Sequence, residues 1–148
     1  MERLLFIDPR SCTGCLECVK ACAGRDGDSQ NPAQARIYIE ERRGRFLAHY
    51  CMQCRVAPCA LVCPQDAIRF QPRMGYWEID YDECIGCKAC IVACPLGVMY
   101  LDPVADRVIK CDTCQGEPLC VAACPTGALA WIHPADRKAY LGRRAARG

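Results

Sequence analysis

The sequence predicts an α+β fold made of small repeated units, in which a short strand leads into a cysteine-bearing loop and then into a single helical turn. Three observations carry this reading. The sixteen cysteines of the 148-residue chain fall into four quartets with none left over: Cys12, Cys15, Cys18 and Cys22; Cys51, Cys54, Cys59 and Cys63; Cys84, Cys87, Cys90 and Cys94; Cys111, Cys114, Cys120 and Cys124. A short β-rich stretch lies before or after each quartet. Small or apolar residues, apart from Lys20, fill the gap between the third and fourth cysteine of every quartet, which suits one turn of helix.

Taken in chain order, residues 4–7 read as a first strand, 37–39 with 46–50 as a hairpin turned by Arg42-Arg43-Gly44, and 67–70 with 76–80 as a second, turned by Pro72-Arg73-Met74-Gly75. Residues 98–101 with 107–110 form a third, turned at Asp102-Pro103, and 128–132 read as a last strand. The helical turns are centred on Val19-Lys20-Ala21, Ala60-Leu61-Val62, Ile91-Val92-Ala93 and Val121-Ala122-Ala123. Proline follows the fourth cysteine in three quartets (Pro64, Pro95, Pro125), where it cannot extend a helix and turns the chain away. The first quartet runs instead into Ala23-Gly24-Arg25-Asp26-Gly27, which opens a polar stretch to Pro32, the longest expected loop. Residues 1–132 are read as one domain, and residues 133–148 as a basic, solvated tail.

Three cysteines spaced by two residues, with a fourth after three more and then proline, form the ligand run of bacterial iron–sulfur proteins. Thiolate is a soft ligand that suits iron, and a tight loop with cysteine at every third position can reach several corners of one cube while its backbone N–H groups face the sulfides. Gly14 and Gly86, between the first two cysteines of their quartets, are expected to let the backbone crowd a cluster. Zinc is the rival for the second and fourth quartets, which have four and five residues between their middle cysteines. It suits the first and third poorly, with three cysteines inside seven residues. A disulfide framework would call for a secretion signal, and the N-terminal residues Met1-Glu2-Arg3-Leu4-Leu5 do not read as one.

Sixteen ligands imply four [4Fe–4S] clusters, each adding a charge of about −2, so the formal +2 of the chain becomes roughly −6 when loaded. The scattered basic residues then counterbalance metal, and with 17 acidic residues among them they do not form a nucleic-acid footprint. The least polar segment, 119–132, holds Pro125 and Gly127 and is too short for a bilayer, so a cytoplasmic protein with no membrane span is expected. Ile85, Ile91 and Val92 are expected to keep water from the clusters, and Lys20, Lys88 and Lys110, close to ligands, to offset the added charge. His49 and His133 read as structural or surface residues, and Trp77, Trp131, Tyr76 and Tyr100 as packing.

The run from Cys12 to Cys22, the widened second quartet, the compact third and the widened fourth, in that order, resemble the four-cluster ferredoxin-like electron-transfer subunits of molybdenum and tungsten pterin oxidoreductases. The resemblance covers about residues 3 to 132. It implies tandem bacterial-ferredoxin-like modules, short hairpins and one-turn helices wrapped around four clusters, with quartets one and four in one module and two and three in the other. It also implies the ligand sets Cys12, Cys15, Cys18 and Cys124; Cys22, Cys111, Cys114 and Cys120; Cys51, Cys54, Cys59 and Cys94; and Cys63, Cys84, Cys87 and Cys90.

No residue is expected to be catalytic. The implied partners are a catalytic oxidoreductase subunit and, on the acceptor side, a flavin subunit or ferredoxin. The segment Asn31-Pro32-Ala33-Gln34-Ala35-Arg36-Ile37 resembles the compact subgroup serving tungsten-containing aldehyde oxidoreductases of anaerobic metabolism. A formate dehydrogenase, hydrogenase or carbon monoxide dehydrogenase subunit, a free polyferredoxin shuttle, and self-association into a larger array remain open alternatives.

Overall fold

The computed structural model describes residues 3–27 and 29–146. Met1, Glu2, Asp28, Arg147 and Gly148, which include one residue of the expected long loop and the end of the expected tail, lie outside the described residues.

Eight strands pair into four separate two-stranded antiparallel sheets. Three are the local hairpins read from the sequence: β2 (Ile37–Arg42) with β3 (Arg45–Tyr50), β4 (Ile68–Gln71) with β5 (Tyr76–Ile79), and β6 (Tyr100–Asp102) with β7 (Arg107–Ile109). The fourth joins the two ends of the chain, β1 (Leu4–Ile7) against β8 (Leu129–Ile132), with Leu4 opposite Ile132 and Ile7 opposite Leu129. Four short helices carry the cysteines: α1 (Glu17–Ala23), α2 (Pro58–Leu61), α3 (Ala89–Ala93) and α4 (Leu119–Ala123).

Packing divides the apolar residues into two cores, each built around thiols. Leu5, Val19, Ile37, Tyr50 and Leu129 surround Cys18, Cys22 and Cys120, where α1 lies against α4. Ala57, Ile68, Met99 and Val108 surround Cys59, where α2 lies against α3. Each large aliphatic side chain so buried contributes about 1.5 to 3 kcal/mol. The Tyr50 hydroxyl donates to Leu5 O at 2.8 Å, tying the β2–β3 hairpin to the sheet that joins the chain ends.

The C-terminal segment differs from a solvated tail. Residues Arg137–Ala145 form α5, whose Tyr140 is buried and donates toward the carbonyls of Gly127 (2.9 Å) and Ala128 (2.7 Å). Arg144 on the same helix donates to Ser11 Oγ at 3.1 Å and to Thr126 O, and lies 3.6 Å from the carboxylate of Asp8. The run of arginines hid this, because one aromatic anchor carries the docking and no apolar stripe announces it. Asp8 is almost fully buried and also accepts from Arg10 and Ser11; burial opposes its ionisation, yet the Arg10 and Ser11 hydrogen bonds hold its carboxyl below the usual range.

Candidate cluster sites

Every quartet wraps a loop in which the residue before the second cysteine is left-handed: Gly14 and Gly86 at φ 71°, Gln53 at 50° and Thr113 at 56°. Such a turn points successive N–H groups into one concavity, an arrangement suited to an anionic cluster. Glycine meets the demand without strain in the compact quartets. A Cβ on Gly14 would strike the ring of Phe46 at 2.4 Å, while one on Gly86 meets nothing, so the conformation, with Phe46 in the first case, explains the glycines. The widened quartets place larger residues there and anchor them. Gln53 is buried, donates to Cys111 O at 2.7 Å and accepts from Trp77 N at 2.8 Å; Thr113 is buried and donates to Asp112 O at 2.7 Å.

The loops then enter their helices in two ways. In the compact quartets a second left-handed residue, Leu16 or Lys88 at φ 63°, starts the helix. In the widened ones a proline does, Pro58 at the start of α2 and Pro118 just before α4, where its fixed φ suits a first turn.

These elements bring thiols of different quartets together. Cys22 lines one cavity with Cys111, Cys114 and Cys120. Cys51, Cys54 and Cys59 line a second with Cys94. Cys63 lines a third with Cys84, Cys87 and Cys90. Cys18 has the thiols of Cys12, Cys15 and Cys124 as its electrostatic neighbours, which makes a fourth group. Among the described residues no three His, Cys, Asp or Glu side chains are drawn together as one metal ion would require.

The donor set and its surroundings fit an anionic iron–sulfur cluster. Sulfur atoms accept backbone N–H groups, Cys22 from Arg36 at 3.1 Å, Cys63 from Ala67 at 3.3 Å and Cys111 from Thr113 at 3.4 Å. Burial pushes the Cys18 thiol up to about 11 and that of Cys111 up to about 12, and raises those of Cys22, Cys59, Cys90 and Cys120 as well. Cys124 moves the other way: burial opposes ionisation there too, but donors from Leu129, Thr126 and Ala128 outweigh it. The ligand form is the thiolate, so a cluster bound at these thiols displaces their protons into solvent.

Lys110 is the most telling neighbour. It is buried, and its ammonium donates to Cys111 O at 2.8 Å and to Trp77 O, while reaching Gln53 Oε1 at 3.5 Å. Lys20 and Lys88, close to ligands in the sequence, are exposed instead. The expected water barrier is also only partly present. Ile91 packs on the second core, but Ile85, in the loop between Cys84 and Cys87, sits on the cavity rim at 64% exposure, and Val92 faces solvent at 89% because the outer face of a one-turn helix has nothing to pack on.

His49 lies 2.8 Å from Glu40, and His133 Nδ1 accepts from Ala135 N at 3.2 Å as a cap, both away from the thiols. Trp77 donates to Cys54 O at 2.9 Å and lines the Cys51 cavity; Trp131 packs on the first core. Tyr100 lies near the thiols of Cys94, Cys111, Cys22 and Cys51, and burial pushes its hydroxyl up to about 12.

Residues 42–133 match the 4Fe-4S dicluster domain, and residues 11–68 match a second 4Fe-4S dicluster domain. The chain belongs to this family. Two dicluster domains and sixteen cysteines give four [4Fe–4S] clusters.

The chain is 39% identical over 121 residues to YsaA of Escherichia coli (strain K12), covering 76% of each. It is 34% identical over 119 residues to the thiosulfate reductase electron transfer subunit PhsB of Salmonella typhi, covering 75% of this chain and 62% of PhsB. Of several curated relatives it spans less than two thirds of the length. Among solved structures it is similar to a chain of the active-site complex BamBC of benzoyl coenzyme A reductase with 1,5-dienoyl-CoA, at TM-score 0.51 and 27% identity, covering 86% of this chain and 73% of that one. This family membership makes the chain an iron–sulfur electron-transfer protein. Among the described residues no helix is long and apolar enough to cross a membrane.

Proposed function

We propose that the chain is a non-catalytic relay subunit whose four clusters are held by Cys12, Cys15, Cys18 and Cys124; by Cys22, Cys111, Cys114 and Cys120; by Cys51, Cys54, Cys59 and Cys94; and by Cys63, Cys84, Cys87 and Cys90. One observation carries this: three cavities are each lined by four thiols drawn from two quartets, and the remaining four thiols form one further group. The clusters supply one-electron transfer, and the protein fixes their order.

Helix α1 contributes Cys18 to one site and Cys22 to the next, and α4 contributes Cys120, with Cys124 just beyond its end, to the same two. Four residues along a helix rise about 6 Å, so these sites are neighbours. Around α2 and α3, Cys59, Cys63, Cys90 and Cys94 link the other two sites in the same way. Gln53, reaching from the Cys51–Cys54 loop to Cys111 O, ties the inner site of one module to the inner site of the other. The result is a line with the Cys12 site at one end and the Cys63 site at the other.

The similarity to a chain of an active-site complex, and to an electron transfer subunit of a reductase, supports a permanent catalytic partner. The sequence resemblance makes that partner a molybdenum or tungsten pterin oxidoreductase, with an aldehyde oxidoreductase as the specific proposal, a flavin subunit or ferredoxin as acceptor, and the cytoplasm as the compartment. Native mass spectrometry with metal analysis of the untagged complex, purified without oxygen, tests it. The expected result is a fixed-stoichiometry assembly holding tungsten or molybdenum; a lone chain that exchanges electrons with several enzymes would make it a free shuttle.

A further inference from the structure

Each reduction adds one negative charge to a chain already made anionic by its clusters, so the placement of cations decides where an electron rests. Among the described residues two cations are buried, Arg36 at 6% exposure and Lys110 at 3%. Both lie at the inner sites. Arg36 and Arg25 line the Cys22–Cys111–Cys114–Cys120 cavity, but each is matched by a carboxylate, Arg36 by Asp26 at 2.9 Å and Arg25 by Asp112.

Lys110 is not matched. Its contacts are two carbonyls and an amide oxygen, all uncharged. An unpaired buried ammonium is strongly disfavoured unless negative charge lies close by. Lys110 also lines a polar cavity with Asp26, Glu78 and Asp112, but Arg25, Arg36 and Arg107 line the same cavity and balance them. The remaining candidates are the sulfurs on its two sides: Lys110 lines the Cys51–Cys54–Cys59–Cys94 cavity and directly precedes Cys111, a ligand of the other inner site.

Among the described residues the outer sites have no equivalent. Lys88, on the rim of the Cys63–Cys84–Cys87–Cys90 cavity, is exposed; Lys20 is exposed and paired with Glu17 at 2.9 Å; Arg144, near the Cys12 site, lies 3.6 Å from Asp8. Exposed and paired charges are screened and do little at a distance.

We infer that the two inner clusters form a two-electron reservoir, held at a higher reduction potential than the outer pair by Lys110 between them. The inference rests on the proposed ligand sets. In each filling step a reduced redox centre of the catalytic partner loses one electron, which passes through an outer cluster and reduces one inner cluster; no bond forms or breaks. Two such steps place one electron on each inner cluster, and Lys110 weakens the repulsion between the two added charges. Emptying reverses this, one electron at a time, into the acceptor. A two-electron oxidation at the partner can therefore finish before the acceptor arrives.

A potentiometric titration followed by electron paramagnetic resonance, on the full chain with iron counted beforehand, tests this. In the unaltered protein the first two electrons are expected to give the coupled signal of two adjacent paramagnets, with the outer pair reduced only at lower potential. Lys110→Met, with its iron content intact, is expected to lower the reduced-to-oxidised ratio of the first pair at least tenfold at a fixed ambient potential, a shift of ~59 mV. Lys88→Met is expected to change it less than threefold.

One-step reduction of all four clusters, first reduction of the outer pair, or an unmoved first pair in iron-replete Lys110→Met overturns the inference. If that variant loses iron, the two-step order in the unaltered protein decides alone. Cys120→Ala and Cys87→Ala separate this from failure of the ligand sets. Loss of four irons in each, with the early signal lost in Cys87→Ala instead of Cys120→Ala, keeps the ligand sets and sinks the reservoir; loss of irons from two sites in either one sinks the ligand sets.

Discussion

The compact loops of the first and third quartets and the widened loops of the second and fourth solve one problem at two depths. On the proposed ligand sets, each compact loop gives three cysteines to an outer site and each widened loop gives three to an inner one. The compact loops expose their middle cysteines, Cys15 and Cys87, and contain a left-handed glycine. The widened loops bury Gln53 and Thr113 at the matching positions, and Lys110 at their junction. In the widened loops these polar side chains satisfy enclosed backbone groups, a need that an end site facing solvent does not have. Loop width marks the place of a site along the line.

The largest expected effect tests that difference in depth. Cys120→Ala removes a ligand buried within the first core, whereas Cys15→Ala removes an exposed one. Each is expected to lose about four of about sixteen irons, since one cube is lost. The inner variant should also unfold at a lower denaturant concentration, because on the proposed ligand sets the cluster it lacks holds α1, α4 and the Cys111 loop together. Iron and sulfide analysis with far-ultraviolet circular dichroism, both without oxygen, checks this. Equal unfolding of the two variants would erase the distinction between inner and outer sites.

A smaller effect separates the two glycines. Alanine at either position must adopt φ near 71°, at a cost of about 1–2 kcal/mol for an L residue. At Gly14 the new methyl also meets the Phe46 ring, and overpacking of that kind adds about 1–3 kcal/mol. Gly14→Ala is therefore expected to shift the anaerobic guanidinium midpoint about twice as far as Gly86→Ala, and Phe46→Ala to bring the two closer together. Equal midpoints would mean that backbone conformation alone selects both glycines.

Much of this was legible in the sequence because it is local. The three hairpins, the one-turn helices and the grouping into quartets follow from residues a few positions apart, where turn residues and small apolar triplets act directly on the backbone. What stayed hidden depends on segments far apart in the chain. The pairing of β1 with β8, Tyr140 reaching Ala128, and Gln53 joining Trp77 to Cys111 leave no periodic signal. Lys110 was one of three lysines near ligands, and only packing could show which of them is enclosed. Ile85 and Val92 misled for the same reason, since an apolar residue in a tight loop or on a single helical turn has no periodic neighbours to fix its direction.

The last comparison concerns Gln53, whose left-handed backbone alone would favour glycine. Gln53→Gly relieves about 1–2 kcal/mol of conformational strain. It also leaves the Trp77 N–H without its partner, at about 1–3 kcal/mol while that group stays buried, and takes from the Cys111 carbonyl one of its two donors, at about 1 kcal/mol, Lys110 remaining as the other. The losses outweigh the relief, so the variant is expected to be destabilised by about 1–2 kcal/mol, opposite in sign to the gain predicted from backbone geometry alone. The anaerobic denaturation midpoint reads that sign directly. A stabilised Gln53→Gly would show that the widened loop holds its shape through the cluster alone, and that its buried side chains are passengers and not the reason for its width.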